Sequence, residues 1–205
     1  MPRSPEPPRA WQRMLSGRRL DLLNPSPLDI EIEDIAHGLA RVARWNGQTK
    51  GDHAFSVAQH CVLVTDIAEH LSPALTREQR LAALLHDAPE YVVGDMISPF
   101  KAALGLDYKS FEQRLLAAIH IRFGLAAAVP EKLAAFIKGC DRLAAFLEAT
   151  QLAGFGIEEA TKFFGRPKGL DGGDAARFFR LKPLAPNEAS AQYLRLFQKL
   201  ASFEI

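Results

Sequence analysis

The sequence predicts an all-α bundle, with room for one short N-terminal strand, and three observations carry that reading. Apolar residues recur at three- and four-residue spacing in six stretches. No alternating pattern of usable length and no internal repeat interrupts them. The intervals between the stretches hold the Gly, Pro, Asp and Ser that favour turns.

Residues 1–10 carry four prolines and little apolar content, which predicts a disordered tip, and an extended piece runs from Leu20 to Pro27. Ile32, Ile35, Ala36, Leu39, Val42 and Ala43 predict a first helix up to about Arg44, broken by Trp45-Asn46-Gly47. The second runs from about His53 to Leu71, with His60 bordering its apolar stripe. Thr76 with Gln79 is a capping-box signature, so the third helix starts at Arg77 and buries Leu81, Leu84, Leu85 and Ala88. Pro89 cannot donate to the carbonyl of Leu85, so the helix should kink or break there. Tyr108 to Arg122 marks the fourth helix and Pro130 opens the fifth, which continues to Leu152. A glycine-rich connection, 154–173, precedes the last helix near Asn187–Ala201.

A length of 205 residues with 48% hydrophobic and 24% charged content fits one domain, here 28–205, behind a partly disordered extension, 1–27. The net charge of +1 offers no field for a nucleic-acid polymer or an anionic membrane, so phosphate recognition should be local. Cys61 and Cys140 form no CxxC pair and read as small buried thiols. With no long apolar run or signal pattern, a cytoplasmic location is expected.

The chemistry concentrates at His86-Asp87-Ala88-Pro89-Glu90. Neighbouring helical residues diverge by about 100°, so His86 and Asp87 can grip one ion only in the sector between them. Glu90 sits one turn further on the same side. Asp141 lies within the apolar stripe of the fifth helix, where a carboxylate needs a partner. A salt bridge to Lys138 or Arg142 would supply one. With His60 and the His86-Asp87 pair at the edges of two other apolar faces, convergence on a metal ion is the stronger account. Two imidazoles and two carboxylates suit one divalent transition metal ion, manganese, iron, cobalt, nickel or zinc, rather than calcium. His53, about 10.5 Å along the helix from His60, cannot share that ion. His120 is the only histidine between Asp87 and Asp141, which favours one ion over two. Arg44, a guanidinium at a helix end beside an aromatic, is the preferred phosphate contact, and Lys101 a second.

His60, His86-Asp87 and Asp141 resemble the H…HD…D signature of the HD-domain phosphohydrolases. Within that superfamily, HDAPEYVVGDMISPFK (86–101), Arg44-Trp45 and Ser56-Val57-Ala58-Gln59-His60 are most similar to the HD-domain 5′-deoxynucleotidases. The likeness spans about residues 30–150. It implies an HD-type helical bundle with His60, His86, Asp87 and Asp141 as metal ligands. It further implies Glu90 as the acid-base or water-positioning carboxylate beside Asp87, with Arg44, Trp45 and Asp95 facing substrate. The expected activity is hydrolysis of a (deoxy)nucleoside 5′-monophosphate, so the partner is a small phosphate ester. A homodimer stays open. The rivals are an HD hydrolase of another ester, such as a signalling nucleotide, and a non-catalytic metal or nucleotide sensor.

Overall fold

A hairpin leads into a bundle of helices in the computed structural model, which describes residues 10–95, 106–170 and 173–201. Trp11–Arg13 (β1) pairs antiparallel with Arg19–Asp21 (β2), Gln12 opposite Leu20. Ser16, near its tip, donates through its N–H and its hydroxyl to Asp34. Leu20 is buried with Ile30, Ile35 and Leu39, so this extension shares the core of the bundle. The disordered tip expected at the start of the chain lies, apart from Ala10, outside the described residues.

The first helix, Ile32–Leu39 (α1), stops short of Arg44. The chain instead straightens to pair with the approach to the next helix: Ala43 bridges Ser56, Arg44 N–H donates to Phe55 O, and Val57 N–H donates to Val42 O. A 3₁₀ turn, Arg44–Gly47, follows, with Trp45 and Asn46 at φ 56° and 51°. A bulky residue in that left-handed region is held there by its surroundings. Ser56, whose hydroxyl accepts from Gln59 N–H, caps Val57–Leu71 (α2), so His53 precedes the helix and is exposed.

Thr76 and Gln79 form the expected capping box at the start of Arg77–Leu84 (α3). The helix ends before Pro89, because the turn tightens early: His86 N–H reaches Ala83 O, Ala88 reaches Leu85 O, and Glu90 reaches Asp87 O. His86 and Asp87 therefore stand on a turn between α3 and Glu90–Val93 (α4), not on a continuous helix. Leu106–Arg122 (α5) and Glu131–Gln151 (α6) follow, the latter opened by Pro130 as expected. The glycine-rich segment contains Ile157–Phe164 (α7) and ends in a 3₁₀ stretch, Gly173–Phe179, before Pro186–Ala201 (α8).

Helix α2 is the axis of the bundle, since its residues 57–65, Ile67 and Ala68 are all buried. A helix apolar nearly all round must be enclosed. Val57, Ala58 and Cys61 pack toward α1, α3, α5 and α8, whereas Val64, Ile67 and Ala68 pack toward α6 and Phe178. His60 lies between these two cores and has no exposure. On the far side, the hydroxyl of Tyr193 on α8 donates to Leu84 O, tying down the end of α3 just before His86. Among the described residues no helix is long and apolar enough to cross a membrane.

Gly38 sets the approach of α1 to α4. A Cβ there would stand 2.9 Å from Tyr91 Cβ and 3.0 Å from Tyr91 O. Alanine gains at most about 1 kcal/mol of helix propensity, but the contact is with backbone and overpacking costs about 1–3 kcal/mol. Gly38→Ala is expected to lower the thermal midpoint by shifting the element that begins with Glu90. An unchanged or higher midpoint in a melting curve would show that α4 yields freely.

Candidate metal centre

The enclosed α2, the α3–α4 turn and the long α6 bring one functional group each, or two, to the same interior point. His60 Nε2 lies 3.3 Å from Asp141 Oδ1 and 3.5 Å from Asp87 Oδ2, and His86 Nε2 lies 3.2 Å from Asp87 Oδ2. The two imidazole centroids are 5.4 Å apart. Ligand atoms of His60, His86 and Asp141 all fall within 4.8 Å of one another. Donors about 2.1 Å from one ion would lie about 3.0–3.4 Å apart at octahedral or tetrahedral angles, so the 3.2–3.5 Å separations between the imidazoles and the carboxylates suit a shared cation, although the group whose atoms are all mutually within 4.8 Å is His60, His86 and Asp141, without Asp87.

The outer nitrogens decide what the inner ones can do. His86 Nδ1 is 2.8 Å from Ala83 O, and a carbonyl only accepts, so Nδ1 carries the hydrogen. His60 Nδ1 is 2.6 Å from Glu148 Oε1, which already has donors on its other oxygen, so Nδ1 donates there too. In the neutral rings both Nε2 atoms then present lone pairs inward, where each is buried without a hydrogen-bond partner. Such orphaned atoms facing carboxylate oxygens fit a bound cation. Side-chain exposures of 26% for Asp87 and 15% for Asp141, against none for His60, put the open side of the centre at the carboxylates.

Without a cation, both imidazoles favour the charged form. Burial and the charge of Arg44 oppose protonation of His60, yet Glu148, Asp141 and Asp87 raise its pKa well above the usual histidine range. His86 is raised likewise, its burial outweighed first by the charge of Asp87. Burial would raise Asp87 and Asp141, but the histidines hold both carboxyls low. A raised histidine pKa stabilises the metal-free fold fully below about pH 6.5 and loses that stabilisation as pH climbs through the raised value. Metal binding requires the neutral rings and releases these protons. The gap in thermal midpoint between metal-loaded and chelated protein should therefore widen from about pH 6 to about pH 8.5. A gap that is constant or narrows would contradict this arrangement.

Asp141 makes the salt bridge to Lys138, its Oδ2 lying 2.6 Å from the largely exposed Nζ, while Oδ1 faces His60. Glu90 is a buried carboxylate at the first position of α4, its N–H bonded to Asp87 O. Cys61 does not point away from the ligands: its thiol lies against His86 and is pushed up by burial, with Asp87 and Glu90 adding to the rise. Burial also pushes the Cys140 thiol up, to about 11. His120 is buried and stays apart from the ligand cluster.

Arg44 donates from Nε to Glu148 Oε2, 3.2 Å, and from Nη1 to Asp95 Oδ2, 3.1 Å. Gly94, at φ 77°, turns the chain so that Asp95 reaches it. Trp45 Nε1 donates to the same Glu148 oxygen at 2.9 Å, and the ring packs on Phe155 and Phe164 of the α7 region, centroids 5.4 and 5.8 Å away. Arg44, Trp45 and Asp95 thus form one cluster beside His60. Lys101 lies outside the described residues.

Glu148 is the participant that sequence reasoning missed. Its signal was present, an acid in the apolar run Ala144-Ala145-Phe146-Leu147-Glu148-Ala149, seven residues past Asp141 and so on the same helix face.

The chain is 61% identical over 159 residues to the uncharacterized protein RCAP_rcc00048 of Rhodobacter capsulatus, covering 78% of this chain and 81% of that one. Over 173 residues it is 31% identical to the uncharacterized protein YfdR of Escherichia coli, covering 84% and 85%. It belongs to their family. No family model matches the chain. For this chain, the donor cluster described above is the feature from which a function can be argued.

Proposed function

We propose that this protein is an HD-type, metal-dependent phosphohydrolase that cleaves the phosphomonoester of a (deoxy)nucleoside 5′-monophosphate. The observation that carries the reading is the inward convergence of His60, His86, Asp87 and Asp141, with both imidazoles fixed from behind. These four residues would hold one divalent ion, which when bound supplies Lewis acidity toward a phosphoryl oxygen and makes water a better nucleophile near neutral pH. Glu90, buried in the turn beside the ligands, takes the proton of the attacking water. Water oxygen bonds to phosphorus, the ester P–O bond breaks, and the leaving oxygen departs as a hydroxyl, with the proton that Glu90 took from water returned to it or to solvent. Arg44 orients the phosphate with the guanidinium edge that Glu148 and Asp95 leave over, and Trp45 borders the nucleoside.

One observation favours a second reading. Arg44 already serves two carboxylates, which lowers its value as a phosphate clamp and supports an HD hydrolase of a different phosphate ester.

A panel of nucleoside 5′- and 3′-monophosphates, cyclic nucleotides and generic phosphate esters, with manganese, cobalt, nickel or zinc added, tests the proposal. Turnover of 5′- but not 3′-monophosphates is expected. Hydrolysis of diesters or pyrophosphates alone would favour the second reading. Binding of metal and nucleotide without any turnover would make the protein a sensor.

A further inference from the structure

We propose that Glu148 is the positioning residue of the metal centre, holding His60 in the tautomer that turns its Nε2 lone pair toward Asp87 and Asp141. The inference rests on the metal-centre reading and concerns a residue outside the four ligands.

Glu148 is fully buried in an apolar stretch of α6, where a carboxylate is costly unless its oxygens are well served. Its oxygens divide their partners. Among the described residues, Oε2 receives Arg44 Nε and Trp45 Nε1, while Oε1 receives only His60 Nδ1, at 2.6 Å. A carboxylate kept only to neutralise Arg44 would not need that second, short, charge-assisted bond. Asp141 and Glu148, seven residues apart on one face of α6, clamp the His60 ring from both ends: Oδ1 of the first faces Nε2, Oε1 of the second holds Nδ1.

The two imidazoles solve the same problem with different partners. His86 is oriented by the backbone carbonyl of Ala83, whose acceptor any side chain at 83 would keep. His60 is oriented by a side chain, so its tautomer depends on residue 148. Without that acceptor, neutral His60 can keep its one hydrogen on Nε2, donating to Asp141 or Asp87, so an ion arriving there meets a ring whose displaced hydrogen has no acceptor waiting at Nδ1. A carboxylate partner also makes His60 the more electron-donating of the two rings. Through Oε2 the same group holds Arg44 and Trp45 at the start of the turn that is left-handed at Trp45 and Asn46, joining it to His60 by one residue.

The test uses the full-length protein loaded with zinc or cobalt. Glu148→Gln keeps the size, but one amide oxygen must then serve three donors while its NH₂ faces some of them. Zinc affinity, measured by competition with a chromophoric chelator, is expected to fall about 10–100-fold, and the cobalt absorption bands to shift, with the helical circular dichroism unchanged. Equal affinity and an identical cobalt spectrum would overturn the proposal. Should the variant fail to fold, long-range ¹H–¹⁵N spectra of histidine-labelled wild type decide instead. His60 is expected with its hydrogen on Nδ1, and Nδ1 bound to the ion would overturn the assignment. A wild-type chain that takes up neither metal would sink the metal-centre reading itself, an outcome distinct from retained affinity in Glu148→Gln.

Discussion

Under the proposed function, Asp141→Ala is expected to reduce bound metal from about one ion per chain to background and to slow hydrolysis sharply. Oδ1 of Asp141 stands 3.3 Å from His60 Nε2, so its loss removes one of the two carboxylates that would balance a divalent charge in the proposed centre. Lys138, the other partner, is largely exposed and stays solvated without it, which makes the loss of metal the dominant effect. Lewis-acid stabilisation amounts to several kcal/mol, and about 1.4 kcal/mol is a decade in rate, so turnover should drop by about 10³-fold or more. His86→Ala should behave alike, because it removes a lone pair that the Ala83 carbonyl holds in place. Elemental analysis of the purified chains decides the matter. Two ions per wild-type chain, or full metal retention in both variants, would end the four-ligand mononuclear assignment.

Glu90→Gln separates catalysis from binding. The amide keeps shape and hydrogen-bonding reach but accepts no proton near neutral pH, and residue 90 is almost wholly buried in the turn that carries Asp87. Metal content should survive. If this carboxylate deprotonates or orients the attacking water, kcat should fall about 10²–10⁴-fold with little change in substrate binding. Parallel loss of metal would make Glu90 a ligand, and unchanged turnover at verified metal content would remove it from the chemistry. The Gly38→Ala variant probes the same carboxylate indirectly, since it displaces α4 without touching any ligand.

What the chain determined by itself is whatever rests on local spacing. The helices and several of their ends follow from periodicity and from caps such as Thr76 with Gln79 and Pro130 before α6, because those interactions reach only three or four residues. His60, His86, Asp87 and Asp141 could be singled out as candidates from the sequence because each is a polar group at the edge of, or within, an apolar pattern. The tertiary structure decided the rest. That α2 is enclosed on both faces, burying His60, depends on packing by α6 and α8. That α1 ends at Leu39 depends on the pairing of Ala43 with Ser56, which competes with another helical turn. The role of Glu148 depends on groups 88, 103 and 104 residues away. Contacts at that separation leave no periodic trace in the chain, and only the buried cost of a carboxylate, once the helices are assembled around it, shows which partners it must have.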